Sequence, residues 1–178
     1  MIPLAFTWGT DATERALAFP CDRYVERSDA AYYRGVTIHA APDGVFRWLC
    51  QLRVAPYSYD RLDNGGRPSP PTLTPGAEAL AVGQSVMRIF RLAEFEPGRH
   101  ITLEIRKDTG AFRLFGNLAL TYLIVPEIAN RCRLLVKIAV RYPQGLAGAV
   151  MRMGLPWGDL IMMRRQLLNL KRLAEGGS

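Results

Sequence analysis

The chain has 178 residues, 49% of them hydrophobic and 22% charged, a composition that excludes a disordered or low-complexity protein and suits one domain spanning 1–178. Its net charge of +7 is uneven, with seven Arg against eight acids in residues 1–64 and sixteen Lys and Arg against eight acids in residues 65–178. The basic residues are scattered and never interleave with aromatics, so no nucleic-acid partner is expected and the excess reads as a solvated surface.

Residues 1–30 read as an irregular N-terminal segment with one short helical turn, capped by Thr10 or Asp11 and ended by Pro20. "AYYRGVTIHA" (31–40) predicts a strand, with Tyr32, Arg34, Val36 and Ile38 on one face and Tyr33, Thr37 and His39 on the other. A helix follows at once. Pro42 suits its first turn, where the missing N–H has no partner to lose, and Val45, Phe46, Leu49 and Leu52 recur at helical spacing. "YSYDRLDN" (57–64) then leads into "GGRPSPPTLTPG" (65–76), an irregular loop by its Gly and Pro content.

From residue 84 the pattern is strand after strand. "QSVMRIFRLAEF" reads as one strand, "HITLEIR" alternates with Ile101, Leu103 and Ile105 inward, and "FRLFGN" and "LALTYLIV" follow as further strands. In "RCRLLVKIAVRY" (131–142), Cys132, Leu134, Val136, Ile138 and Val140 oppose Arg131, Arg133, Lys137 and Arg141, the pattern of a sheet with one wet face. Short turns between these strands predict an antiparallel meander. Residues 144–175 predict a long C-terminal helix, kinked near Pro156 and Gly158, with an apolar stripe of Leu160, Met163, Leu167, Leu170 and Ala174. This helix alone is long enough to cover the apolar face of a curved sheet, and such an arrangement leaves space between the two.

Three cysteines, Cys21, Cys50 and Cys132, occur without a CxxC pair, which predicts free thiols in a reducing, cytoplasmic setting. Two histidines, His39 and His100, offer no ligand cluster, so neither a metal nor a cofactor is expected. The start lacks the n- and h-regions of a signal peptide, and the longest apolar run, "LALTYLIV" (118–125), falls far short of the ~20 residues that span a bilayer. No stable membrane insertion is expected.

With "WGTDATE" (8–14), "TIHAAPDGVFRWLCQL" (37–52), "YSYDRLDN" (57–64), "LTPGAEALAVGQSV" (73–86), "FEPGRHITL" (95–103) and "LPWGDLIMMRRQLLNLKRLAE" (155–175), the chain resembles the SRPBCC superfamily. That superfamily includes START lipid-transfer domains and polyketide cyclases/dehydrases, and the motifs together resemble an uncharacterised bacterial branch of it. The resemblance implies an α+β helix-grip fold, a curved antiparallel sheet wrapped around a long C-terminal helix. It also implies a hydrophobic small-molecule ligand, such as a lipid, polyketide or isoprenoid-like compound. Two departures stand out: Arg61 where the branch often has tryptophan, and "RVAP" (53–56) where it often has glycines. The superfamily has no single catalytic motif, so no catalytic residue carries over.

The densest polar cluster is "YSYDRLDN". As an active site, Asp60 beside Tyr57 or Tyr59 would supply acid–base chemistry of the cyclase/dehydrase kind. As plain structure, Ser58 or Asp60 caps a short helix, Tyr59 and Leu62 pack inward, Asp63 is solvated and Gly65 stops the helix. Arg34 either pairs with a ligand carboxylate or snorkels to water at a strand end, the second being favoured. Tyr122 is either a polar group of a pocket or a satisfied core tyrosine. Met163, with Met151, Met153 and Met162, either lines an adaptable pocket or packs in the core. The candidate ligand-binding set is Arg34, Tyr57, Tyr59, Tyr122 and Met163, with Asp60 and Tyr59 as catalytic candidates. A third alternative is an interaction protein whose cavity is closed by large side chains.

Overall fold

A computed structural model describes residues 3–176. Two short helices, α1 (Leu4–Thr7) and α2 (Ala12–Arg15), precede the first strand, β1 (Ala30–Ile38). Asp11 opens α2 with a reciprocal capping box: its carboxylate accepts from the Glu14 N–H at 2.8 Å, and Glu14 accepts from the Asp11 N–H at 3.0 Å. After β1 come α3 (Pro42–Cys50), with Pro42 in its first turn as expected, and the four-residue α4 (Asp60–Asp63). Then follow β2 (Ser85–Val86), β3 (Phe90–Glu96), β4 (His100–Ile105), α5 (Gly110–Phe115), β5 (Asn117–Ile128), β6 (Arg131–Arg141) and α6 (Gly145–Gly176).

The six strands form one antiparallel sheet in the order β1-β6-β5-β4-β3-β2. The chain meanders from β2 to β6, and β1 closes the far side by pairing with β6. Cys132, Leu134, Val136, Ile138 and Val140 all face the core, joined there by Leu167, Leu170 and Ala174 of α6, so the alternation read from β6 and the stripe read from the helix meet as expected.

Three local readings change. "QSVMRIFRLAEF" is two strands rather than one, because Met87 and Arg88 adopt φ of 46° and 65° and turn the chain between β2 and β3. The "FRLF" of "FRLFGN" is the end of helix α5 rather than a strand, and Asn117 already begins β5. Gly116 terminates the helix at φ 81°, in a spot where a Cβ would sit 2.2 Å from the Arg141 carbonyl oxygen. The outer sheet face is not simply wet. Phe19, Cys21 and Val25 of the N-terminal segment bury Ala119, Leu123, Leu135 and Ala139, and the Cys21 N–H donates to Thr121 Oγ1 at 2.9 Å.

Helix α6 runs through Pro156 as a single element. Its first half also carries Leu146, Val150, Met153, Trp157 and Ile161 on an exposed face. No helix among the described residues is long and apolar enough to cross a membrane.

The N-terminal segment lies against β1 through two glycines. Gly9 has φ 73°, and a Cβ there would meet the Gly35 carbonyl oxygen at 2.1 Å, while the Gly35 N–H donates to the Trp8 carbonyl at 3.1 Å. Arg133 locks the same contact by donating to Gly9 O at 2.6 Å and to Glu14 at 2.6 Å. Gly9→Ala is therefore expected to cost more than about 1 kcal/mol, through both the strained φ and the backbone clash, measured as a lowered midpoint in urea unfolding.

Candidate functional site

Between the sheet and α6 lies a cavity of about 480 Å³. Its sheet wall is made by Leu118, Leu120 and Tyr122 of β5 and Ile138 and Val140 of β6. The helix wall is made by one face of α6, from Met151 through Leu155 and Met162 to Gln166. Gly154 and Gly158 border the cavity while remaining exposed, and a Cβ added to either meets nothing within 4 Å, so these two glycines mark its mouth.

Two sets of polar contacts hold the part of α6 beside the cavity, while bonds from Lys171 to the Thr37 carbonyl and from the His39 N–H to Glu175 fix its end. The first is an ion pair with β1: Arg34, fully buried, donates to Asp159 Oδ2 at 2.7 Å and to the Pro156 carbonyl at 3.3 Å. The second lies at residues 56–58. Gln166 donates to the Pro56 carbonyl at 2.6 Å, Asn169 to the Tyr57 carbonyl at 2.9 Å, and Ser58 to the Met162 carbonyl at 3.0 Å. Positions 162, 166 and 169 fall on one helix face, so the irregular stretch 56–58 is stapled along it.

The predicted site residues separate. Tyr122 lines the cavity, buried, and donates to Gln166 Oε1 at 2.5 Å, so it is at once a pocket wall and a satisfied tyrosine; burial raises its pKa. Met163 lines the cavity beside it, with Met151 and Met162, whereas Met153 is exposed. Arg34 neither snorkels nor faces a ligand. Asp159 stands between it and the cavity, because a guanidinium with no path to water must be paired inside.

Tyr57, Tyr59 and Asp60 do not reach the cavity wall. Tyr57 sits at φ 56° with its ring edge-on to Trp48 at 6.1 Å, and burial pushes its hydroxyl up to about 12. Tyr59 is 39% exposed, with the Arg165 guanidinium 5.9 Å from its ring centre. Asp60 accepts from the Ser69 N–H at 2.8 Å and hydroxyl at 2.6 Å, tying down the Pro-rich loop. Helix α4 does form, but neither Ser58 nor Asp60 caps it, and Leu62 is 78% exposed instead of packing inward. Arg61 is exposed on α4, away from the wall. Asp63, expected to be solvated, borders the cavity with Oδ1 buried.

Asp159, Gln166 and Asp63 were missed by reading the sequence. Asp159 sits in a helix whose other residues near it are apolar, and an isolated acid there is a signal in hindsight only with Arg34 across from it. His39 is exposed, while His100 is partly buried near Glu94 and Glu96, and burial lowers its pKa. Among the described residues no three His, Cys, Asp or Glu side chains converge as metal ligands.

No family model matches the sequence, and no curated protein matches it. Solved structures do match in fold. A protein of Mesorhizobium loti superposes with a TM-score of 0.53 at 13% identity, over 83% of this chain and 98% of that one. A Chromobacterium violaceum protein gives 0.51 at 16% identity, over 82% and 96%. A START superfamily protein from Mycobacterium smegmatis gives 0.50 at 15% identity, over 83% and 99%. The helix-grip fold implied by the sequence motifs is thus the fold observed.

Burial pushes the Asp159 carboxyl up from 3.8 to about 6 against the pull of Arg34, and it lowers the Arg34 guanidinium. The folded chain therefore holds the Asp159 proton more tightly than the unfolded chain does, and the stability this group contributes falls as pH rises through that window. Arg34→Met, which leaves the partly buried Asp159 without a counterion, is expected to destabilise by about 2 kcal/mol near neutral pH. The loss should be smaller in mild acid, where the carboxyl takes up a proton. The double variant Arg34→Met/Asp159→Leu should recover most of the loss, and urea unfolding at both pH values reads all three.

Proposed function

From a START-like helix-grip fold, we propose that this chain is a single-domain binder of a hydrophobic small molecule held between the sheet and α6. The observation that carries this reading is the cavity itself. Its volume of about 480 Å³ lies within the roughly 300–1,000 Å³ of known small-molecule sites, and its walls are chiefly Leu, Ile, Val, Met and Phe side chains. Burying an apolar molecule there releases about 25 cal/mol for each Å² removed from water, without any catalytic group. A lipid, polyketide or isoprenoid-like ligand suits walls of this kind. Four methionines, Met87, Met151, Met162 and Met163, line it and can adapt to an irregular outline.

The cyclase/dehydrase alternative built on Asp60 with Tyr57 and Tyr59 draws no support from the geometry, since none of the three borders the cavity. The alternative of a cavity packed shut fits poorly with an open volume of this size. The three free, buried cysteines suit a reducing, cytoplasmic setting.

Binding is tested with native mass spectrometry of freshly purified protein and with the neutral fluorophore N-phenyl-1-naphthylamine. A ligand present at about a hundred times its Kd adds about 2.7 kcal/mol, a melting shift of roughly 5 to 10 °C at this chain length. Gly158→Trp should obstruct the mouth and weaken fluorophore binding by about tenfold or more. It should leave the melting temperature unchanged or raised, because glycine is a poor helix former and open space surrounds this one. Equal binding by the variant, or no adduct and no fluorophore signal from the wild type, would refute the reading.

A further inference from the structure

The polar groups of the cavity wall are all of one kind. Its ionisable side chains other than tyrosine are the carboxyls of Asp63 and Asp159, and no Lys, Arg or His is among its lining residues. The donors that do reach the wall have their protons committed. Tyr122 donates to Gln166, Gln166 to the Pro56 carbonyl and Ser58 to the Met162 carbonyl, and the Tyr32 and Tyr142 hydroxyls pair with each other, one proton serving that bond. What the wall offers is acceptors.

The two acids are not equivalent. Asp159 is neutralised by Arg34 at 2.7 Å. Asp63 has no ion-pair partner among the described residues, and its Oδ1 is buried without a hydrogen-bond partner. Of the buried side-chain atoms left in that condition among the described residues, it is the one that belongs to a cavity-lining residue. A buried carboxylate oxygen without a donor is costly, and a donor brought by a ligand removes that cost.

We propose that the cavity selects an apolar molecule with a protonated amine at one end, seated against Asp63. The proposal rests on the cavity being the ligand site. A cationic head satisfies the orphaned Oδ1 and cancels the one unbalanced charge of the wall, whereas a carboxylate head would face two acids with no exposed cation to receive it. Burial raises the Asp63 pKa, with the Asp60 carboxylate adding to the rise and nearby backbone N–H groups and the Ser58 hydroxyl opposing it. The surface field works the other way, since the chain as a whole carries +7 and repels cations. An amine preference must therefore come from the wall.

The test displaces N-phenyl-1-naphthylamine with decylamine, 1-decanol and decanoic acid near neutral pH. Decylamine is expected to compete about tenfold better than decanol, and decanoic acid least well. Asp63→Asn should abolish the amine's advantage while leaving decanol within about twofold, which also reports that the variant is folded. Should that variant fail to fold, Asp63→Ser replaces it, with the same expectation. Decanoic acid competing as well as decylamine, or an amine advantage that survives loss of the Asp63 carboxylate, overturns the proposal while the binding reading stands. Failure of the fluorophore to bind the wild type overturns both.

Discussion

Everything about the cavity follows from how α6 is attached. An amphipathic helix of this length would ordinarily collapse onto the sheet along its whole buried stripe. Here the second half does so, with Leu167 and Leu170 buried in the core. The first half is held instead by polar contacts of fixed length. Arg34 grips Asp159 and the Pro156 carbonyl there, and just past the middle of the helix Met162, Gln166 and Asn169 are tied to residues 56–58. Hydrogen bonds and ion pairs demand particular distances, whereas apolar contact only rewards closeness, so the polar attachments can hold the helix off the sheet. Gly154 and Gly158 then leave unfilled the space that side chains would occupy.

The same attachments explain the character of the wall. Arg34, a cation on the inward face of β1, would by itself have made the cavity anion-seeking. Asp159 cancels it and presents its own carboxyl in its place, and Asp63 adds a second from α4. A ligand entering between them meets hydrocarbon on most sides and acceptors at the few polar points. The "YSYDRLDN" stretch, which has the appearance of an active site in one dimension, contributes chiefly attachments. Its Ser58 bonds the helix and, with Asp63, borders the cavity, while its Asp60 anchors Ser69 of the Pro-rich loop.

Periodicity located the elements where one face met the core and the other did not. β6 was legible because Cys132 through Val140 alternate with charged residues, and the later part of α6 because Leu160 through Ala174 recur every three or four positions. It misled where both periods fit. "FRLF" is apolar at spacings compatible with strand or helix, and only the packing of Gly116 against the Arg141 carbonyl decides for a helix. The turn at Met87 and Arg88 has no Gly, Pro, Asn or Asp to announce it, so the break between β2 and β3 was invisible.

What the sequence determined by itself is the set of elements, their antiparallel order and a helix long enough to grip the sheet, because each of these is written in local patterns of apolar and polar residues. Tertiary structure decided the site. Arg34 and Asp159 are separated by most of the chain, and Tyr122 and Gln166 by the whole of β6, and no local pattern says that either pair meets. Charge cancellation, the burial of the Asp63 Oδ1 and the width of the gap under α6 are properties of these long-range meetings. A carboxylate's solvation and partners depend on what folds against it, which a one-dimensional pattern does not encode.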